Sequence, residues 1–295
     1  MTTQQMNFIK MNGIGNKIIV ADARGRSEEI APGAAVALAA PEAVPFDQIM
    51  EVRDPSQPDW DNDIRILNSD GSLAQACGNG TRCVVAWLHR QDGRRDYKFK
   101  TAGGILTCHY EDDDTITVDM GSPRFDWQDI PLAEEFYDTT GIELQIGPID
   151  DPILHTPSVV NMGNPHAIFW VEDDLENYDL ERFGPLLENH PIFPERANIT
   201  LARIHAEDHV QIRVWERGAG ITLACGSAAC ATLVAAARKG LTQRAARISL
   251  PGGDLQIEWA RQNRVLMTGP VEFEFTGSLD PETGEFERQQ EMEPS

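Results

Sequence analysis

Short apolar, β-branched runs recur along the chain, each bounded by polar or glycine-containing segments. Residues 18–20, 64–67, 116–118, 167–171, 211–215 and 264–267 read as strands. Two longer Ala/Val/Leu-rich stretches, residues 83–89 and 231–239, are apolar on most sides and read as buried helices. Asp92-Gly93 ends the first and Gly240 the second, because glycine takes the left-handed conformation of a helix end without steric cost. Pro41, Pro45, Pro55 and Pro58 break up residues 31–60, where a short helix is expected. Residues 277–295 are acidic, contain Pro281 and Pro294, and are expected to be disordered.

The order of these elements repeats. Ile64-Arg65-Ile66-Leu67 leads through a glycine-containing turn to Ala76-Cys77-Gly78-Asn79, and Ile212-Arg213-Val214-Trp215 leads through another to Ala224-Cys225-Gly226-Ser227. The offset is 225 − 77 = 148, with no gap between strand and cysteine. It also carries Gly15-Asn16 onto Gly163-Asn164 and Gly121 onto Gly269; a one-residue slip carries Gly103-Gly104 onto Gly252-Gly253. Matches spread along both halves point to an internal duplication. The expected fold is α+β: two pseudo-symmetric lobes, each a sheet wrapped around a central helix. Residues 1–121 form the first lobe, completed by 271–277; residues 122–270 form the second; 278–295 are an acidic tail. Duplicated units of this kind pack about a pseudo-twofold axis, so the expected active site lies in the cleft between lobes, where the two cysteines meet.

Charge and cysteine content narrow the functional classes. Lys and Arg total 25 against 47 Asp and Glu, a net charge of −22, which argues against nucleic acid, whose phosphates need a basic surface. No run of eighteen apolar residues occurs and the first ten residues lack the order of a secretory signal, so no membrane span is expected and the cytoplasm is the expected location. Five cysteines, an odd number in a long chain, do not form a disulfide framework and point to thiol chemistry or metal binding. The spacings C-x5-C (Cys77, Cys83) and C-x4-C (Cys225, Cys230) are not the short spacings of structural zinc sites, and no metal is expected.

Both Cys-Gly pairs stand at the entry to a predicted helix. There the first backbone N–H groups lack intrahelical partners and the dipole favours negative charge, which lowers a thiol pKa and holds a carboxylate. Gly78 and Gly226 have no Cβ and Ser227 is small, so a substrate can approach the backbone. Two thiols flanking one α-carbon, one ionised and one protonated, can remove its hydrogen from one face and return another from the opposite face, inverting it without a redox partner. Cys83, Cys108 and Cys230 read as core residues, since the repeat gives Cys83 and Cys230 no cysteine partner. Asn68 and Glu216 are equivalent at two strand ends, as are Asn16 and Asn164 after glycine, where asparagine is as often a turn former as a ligand. Arg217 is either half of a surface ion pair with Glu216 or a clamp for a substrate carboxylate. His166, after Pro165, reads as a turn histidine satisfied by backbone rather than as a base.

These residues resemble the diaminopimelate epimerase family over nearly the whole chain. The resemblance rests on Met11-Asn12-Gly13-Ile14-Gly15-Asn16, Phe46-Asp47-Gln48, Asn68-Ser69-Asp70-Gly71-Ser72, Ala76-Cys77-Gly78-Asn79-Gly80-Thr81-Arg82-Cys83, Met162-Gly163-Asn164-Pro165-His166, Phe193-Pro194-Glu195-Arg196-Ala197-Asn198, Glu216-Arg217-Gly218-Ala219-Gly220 and Ala224-Cys225-Gly226-Ser227. No single piece is specific; their order is. The resemblance implies interconversion of LL- and meso-2,6-diaminopimelate, a step serving lysine and peptidoglycan synthesis, with no pyridoxal phosphate, metal or other cofactor. It implies Cys77 and Cys225 as the two bases. Backbone groups around Gly78, Asn79, Gly226 and Ser227 would hold the reacting α-carboxylate. Asn16, Asn68, Asn164, Asn198 and Arg217, with Glu216, would grip the distal end, and Gln48 would lie near it. It further implies a last strand returning to the first lobe, and a homodimer. Lys17-Ile18, Ile221 and Ala228 depart from the family's usual residues without removing a base or an expected ligand. Proline racemase or hydroxyproline epimerase is the nearest alternative, but a small cyclic substrate would leave the cluster of Arg217, Asn68 and Asn198 unpaired. A PhzF-like isomerase of the same fold would lack the cysteine pair. The turn Gly13-Ile14-Gly15 lacks the third glycine of a dinucleotide site.

Overall fold

In the computed structural model, which describes residues 5–291, the first apolar run lies in an antiparallel pair, β1 (Met6–Gly13) and β2 (Asn16–Asp22). The turn between them needs positive φ at Ile14 and Gly15, 56° and 91°. The chain leaves β2 through α1 (Pro32–Leu38), a short helix with proline in its first turn, where a missing N–H costs nothing. It returns as β3 (Gln48–Arg53), parallel to β2. β3 forms inside the proline-broken segment because Pro45 and Pro55 flank it without interrupting it, and Ile49, Met50 and Val52 are fully buried. Then come β4 (Asn62–Asn68), antiparallel to β3, and β5 (Leu73–Ala74), folded back on β4.

The first Cys-Gly helix, α2 (Gly78–Asp92), follows and ends at Gly93, whose φ of 68° is left-handed. It packs on β1, β2 and β3. Its fully buried Cys83, Val84 and Val85 each contribute on the order of 2 kcal/mol of apolar burial. β6 (Asp96–Thr101) lies parallel to β4, and β7 (Gly104–Tyr110) and β8 (Ile116–Asp119) add antiparallel neighbours.

The second half repeats this grammar after a small two-stranded insertion, β9 (Gln145–Ile146) with β10 (Leu154–His155). β11 (Ser158–Asn161) and β12 (Pro165–Trp170) are antiparallel; α3 (Leu180–Glu188) leads to β13 (Asn198–Ala206), parallel to β12. β14 (His209–Glu216) and β15 (Gly220–Thr222) pair antiparallel as β4 and β5 do. The second Cys-Gly helix, α4 (Gly226–Arg238), precedes β16 (Ala245–Leu250), parallel to β14, and β17 (Gly253–Trp259). β18 (Val265–Gly269) completes the repeat. The duplication reaches backbone conformation: Gly15 and Gly163 have φ of 91° and 98°, and Gly104 and Gly253 have 131° and 144°. α4 is buried on nearly every side, which explains its alanines: larger residues would not fit between the strands it contacts.

The disorder expected of residues 277–295 does not hold for residues 277–291, and residues 292–295 lie outside the described residues. β19 (Glu272–Leu279) pairs antiparallel with β1, and β20 (Phe286–Glu291) pairs antiparallel with β19. The turn between them is docked, with the Ala31 N–H donating to the Pro281 carbonyl at 2.8 Å. Gly284, φ 78°, sits where a Cβ would come within 2.4 Å of the Ala34 carbonyl oxygen. Acidic composition misleads here because Glu282, Glu285 and Glu287 face outward, while Phe286 packs on the Phe8 and Leu279 cluster. The chain divides into two compact units, residues through Val118 with those from Thr268 onward, and Asp119–Met267. Among the described residues no helix is long and apolar enough to cross a membrane.

Candidate active site

Cys77 is the N-cap of α2, in extended conformation at φ −149°, ψ 103°. Its Sγ accepts the Gly80 N–H at 3.2 Å, and its carbonyl accepts both Thr81 N–H and Thr81 Oγ1. One orphan donor of the first turn thus points at sulfur. The thiol also lies 3.8 Å from Asn16 Oδ1. Asn16 Nδ2 donates to Asp47 Oδ2 at 3.0 Å, and the Lys17 N–H donates to the same oxygen at 2.6 Å. Asp47 therefore orients the Asn16 amide. On the neighbouring strands Gln48 and Asn68 face each other in register, Gln48 Nε2 donating to Asn68 Oδ1 at 3.0 Å, while Asn68 Nδ2 donates to Ser72 Oγ. Asn79 is buried, its Oδ1 accepting from Arg82, a fully buried guanidinium. The first unit thus places Cys77, Gly78, Asn79 and Asn16 at one helix N-terminus, with Gln48 and Asn68 paired on the neighbouring strands β3 and β4.

In the second unit Cys225 is the N-cap of α4, with nearly the same conformation, φ −135°, ψ 105°. Its surroundings differ. Sγ lies 3.5 Å from Ser227 Oγ and faces the carboxylate of Glu216, which also accepts from Thr222 Oγ1 at 2.5 Å. Burial first, and Glu216 second, push the Cys225 thiol well above its usual range. Cys83, by contrast, is pushed up to about 12 by burial and is inert core. The Arg217 N–H donates to Asn198 Oδ1 at 2.9 Å, its Nη1 donates to the Glu195 carbonyl at 2.9 Å, and Asn198 Nδ2 donates to the Pro165 carbonyl. His166 corrects the sequence reading: it is a fully buried β12 residue, not a turn residue, and its Nε2 meets the Asn164 side-chain oxygen at 2.8 Å. Burial, with Arg217 nearby, lowers it to about 3, so it is neutral at physiological pH. Asn164, Asn198, Glu216, Arg217, Cys225, Gly226 and Ser227 are thus assembled within one unit by β12, β13, β14 and α4.

Among the described residues no group of three or more His, Cys, Asp or Glu is placed to hold a metal ion. The sequence model of the family described as diaminopimelate epimerase matches residues 8–126 and 158–274, once in each half of the chain. The chain belongs to the diaminopimelate epimerase family. It is 61% identical to the diaminopimelate epimerase of Chelativorans sp. (strain BNC1) over 284 residues, covering 96% of this chain and 97% of that protein. It is 60% identical over 285 residues to that of Rhizobium meliloti (strain 1021), covering 96% and 95%. Two solved structures share the fold at low identity. A Bacillus anthracis phenazine biosynthesis protein of the PhzF family has a TM-score of 0.66 at 16% identity, covering 94% of this chain and 99% of that one. A hydroxyproline epimerase from Agrobacterium vitis, with bound trans-4-hydroxy-L-proline, has 0.65 at 14%, covering 95% and 94%.

Within this epimerase-family site, the raised Cys225 thiol carries a pH expectation. Its neutral form prevails at physiological pH, so alkylation by iodoacetamide, followed at Cys225 by mass spectrometry, should still be climbing at pH 9. Glu216→Gln removes the negative charge that disfavours the thiolate and should shift the rise to lower pH. A wild-type rate that levels off below neutrality contradicts the assignment. Asp47 and Glu188 are not among the residues that the sequence singles out. Asp47 stands beside Gln48 in Phe46-Asp47-Gln48, and that adjacency is its only signal. Glu188 closes α3, far along the chain from the groups it binds, and carries no local signal.

Proposed function

We propose that this chain interconverts LL- and meso-2,6-diaminopimelate by two-base proton transfer, with Cys77 and Cys225 acting on opposite faces of one α-carbon. One observation carries the reading: two duplicated cysteines, each the extended N-cap of a Cys-Gly helix, set in unequal surroundings. The 61% and 60% identities to diaminopimelate epimerases over nearly the full chain support the substrate. Cys225, buried against Glu216, suits the protonated thiol that donates hydrogen. Cys77, accepting the Gly80 N–H, suits the thiolate that removes it.

In one turnover the Cys77 thiolate takes the α-proton, leaving a carbanion, and the Cys225 thiol delivers its proton to the opposite face. The enzyme ends as Cys77 thiol and Cys225 thiolate, and the reverse reaction or exchange with solvent resets it. No electron is gained or lost. The α-carboxylate lies at the backbone N–H groups around Gly78, Asn79, Gly226 and Ser227, where the helix dipoles also stabilise the developing negative charge. The distal amino-acid end is gripped by Asn16, Asn68, Asn164, Asn198, Glu216 and Arg217, with Gln48 nearby, so its binding energy orients the near end. A homodimer belongs to the same reading and rests on the family resemblance; the cytoplasmic location is the expectation drawn from the sequence.

Incubation with LL-diaminopimelate and no added cofactor, followed by chiral separation, tests it. The meso isomer should appear and approach equilibrium. Unchanged LL-diaminopimelate alongside inversion of proline or hydroxyproline would replace this reading by the proline racemase alternative.

A further inference from the structure

Glu188 carries more than the packing of α3 requires. It is the last residue of that helix and is buried. Its Oε1 accepts the Gly218 N–H at 3.0 Å and Arg196 Nη1 at 3.2 Å, and its Oε2 accepts the Trp215 indole N–H at 2.7 Å. Trp215 and Gly218 bracket Glu216 and Arg217 in sequence. Arg196 follows Glu195, whose carbonyl holds the Arg217 guanidinium, and precedes by two residues Asn198, whose side chain holds the Arg217 backbone N–H. One carboxylate therefore ties together the two segments between which Arg217 is suspended. α3 approaches so closely that a Cβ on Gly184 would come 2.4 Å from the Trp215 ring, leaving the indole little freedom to turn.

A buried carboxylate is costly unless its lone pairs are met, and here an amide, an indole and a guanidinium meet them from different directions. A hydrocarbon in its place would pack α3 equally well; what the carboxylate adds is direction. We propose that Glu188 is a positioning residue that fixes the turn carrying Glu216 and Arg217, and through it the presentation of both side chains to substrate. This rests on the proposed role of Arg217 and Glu216 in gripping the distal end of diaminopimelate.

Glu188→Gln keeps the shape and breaks the pattern. If the amide oxygen stays with Gly218 and Arg196, the amide NH2 faces the Trp215 N–H; if it flips, the NH2 faces Gly218 and the guanidinium. A donor loses its acceptor either way. KM for LL-diaminopimelate should rise about tenfold, the equivalent of one unsatisfied buried donor, with kcat within about threefold. Trp215→Phe removes the conflicting indole donor, so on that background Glu188→Gln should raise KM by less than about twofold. An equal rise on both backgrounds, or a lowered melting temperature with KM unchanged in Glu188→Gln, overturns the proposal. Hydrogen exchange separates it from the function it rests on. Even if the wild-type protein leaves LL-diaminopimelate untouched, the peptide spanning residues 215–220 should exchange faster in Glu188→Gln and recover in the double variant. Unchanged exchange in Glu188→Gln overturns the clamp.

Discussion

Cys77→Ala and Cys225→Ala should each lower kcat at least about 10³-fold on diaminopimelate while the protein still folds. On the proposed two-base reading each turnover uses both thiols, one to take a proton and one to give it, so losing either leaves half a reaction. The double variant should be no slower than the slower single, because groups that act as a unit are not additive. Folding survives because both cysteines are N-caps: Cys77 is half-buried and contributes one sulfur-accepted hydrogen bond, and Cys225 caps without a side-chain bond. Cys83→Ala is the contrast. That thiol is fully buried on α2, so its loss should cost about 1 kcal/mol of stability through a small cavity and leave kcat near normal. Initial rates by chiral chromatography beside thermal melts separate the two kinds of cysteine. Near-normal turnover in either of the first two variants removes the two-base assignment.

The isotope experiment should give an all-or-none result. With a single base, the hydrogen taken from the α-carbon can return to either face, so substrate recovered early from D2O carries deuterium, or product keeps the original protium. With two thiols, the one that donates has already exchanged with solvent before substrate binds. The first meso product should carry deuterium at the inverted carbon, while unreacted LL substrate stays protiated. The distal α-carbon, which the proposed grip of Arg217 and the asparagines keeps away from both thiols, should not exchange. Mass spectrometry of both isomers during the first few per cent of conversion reads the outcome. Deuterium appearing equally early in recovered substrate refutes the assignment even if both cysteines prove essential.

The duplication, its 148-residue offset and the two Cys-Gly helix starts were all legible without coordinates, because they depend on local physics. Strand and helix periodicity, the left-handed glycine after α2 and the caps at Cys77 and Cys225 involve residues a few positions apart. What lay further apart was hidden. The acidic outward residues of β20 point to disorder in the sequence; its order comes from pairing with β19 and from a turn docked on α1. The proline before His166 points to a turn, yet β12 begins at that proline and burial makes the imidazole neutral.

The two cysteines show the division most sharply. The residues to be sought around them are what the family resemblance implies, while their equivalence follows from residue type and spacing alone. Their inequality does not, for it rests on which groups the sheet brings to each sulfur. Asn16, turned by Asp47, reaches Cys77; Glu216 reaches Cys225 across the fold of β14 and β15. Glu188 likewise meets Gly218 thirty positions along the chain, a contact that exists only once α3 has packed against Trp215. Such contacts depend on the depth at which a side chain ends up and on what stands opposite it, and only the packed tertiary structure decides both.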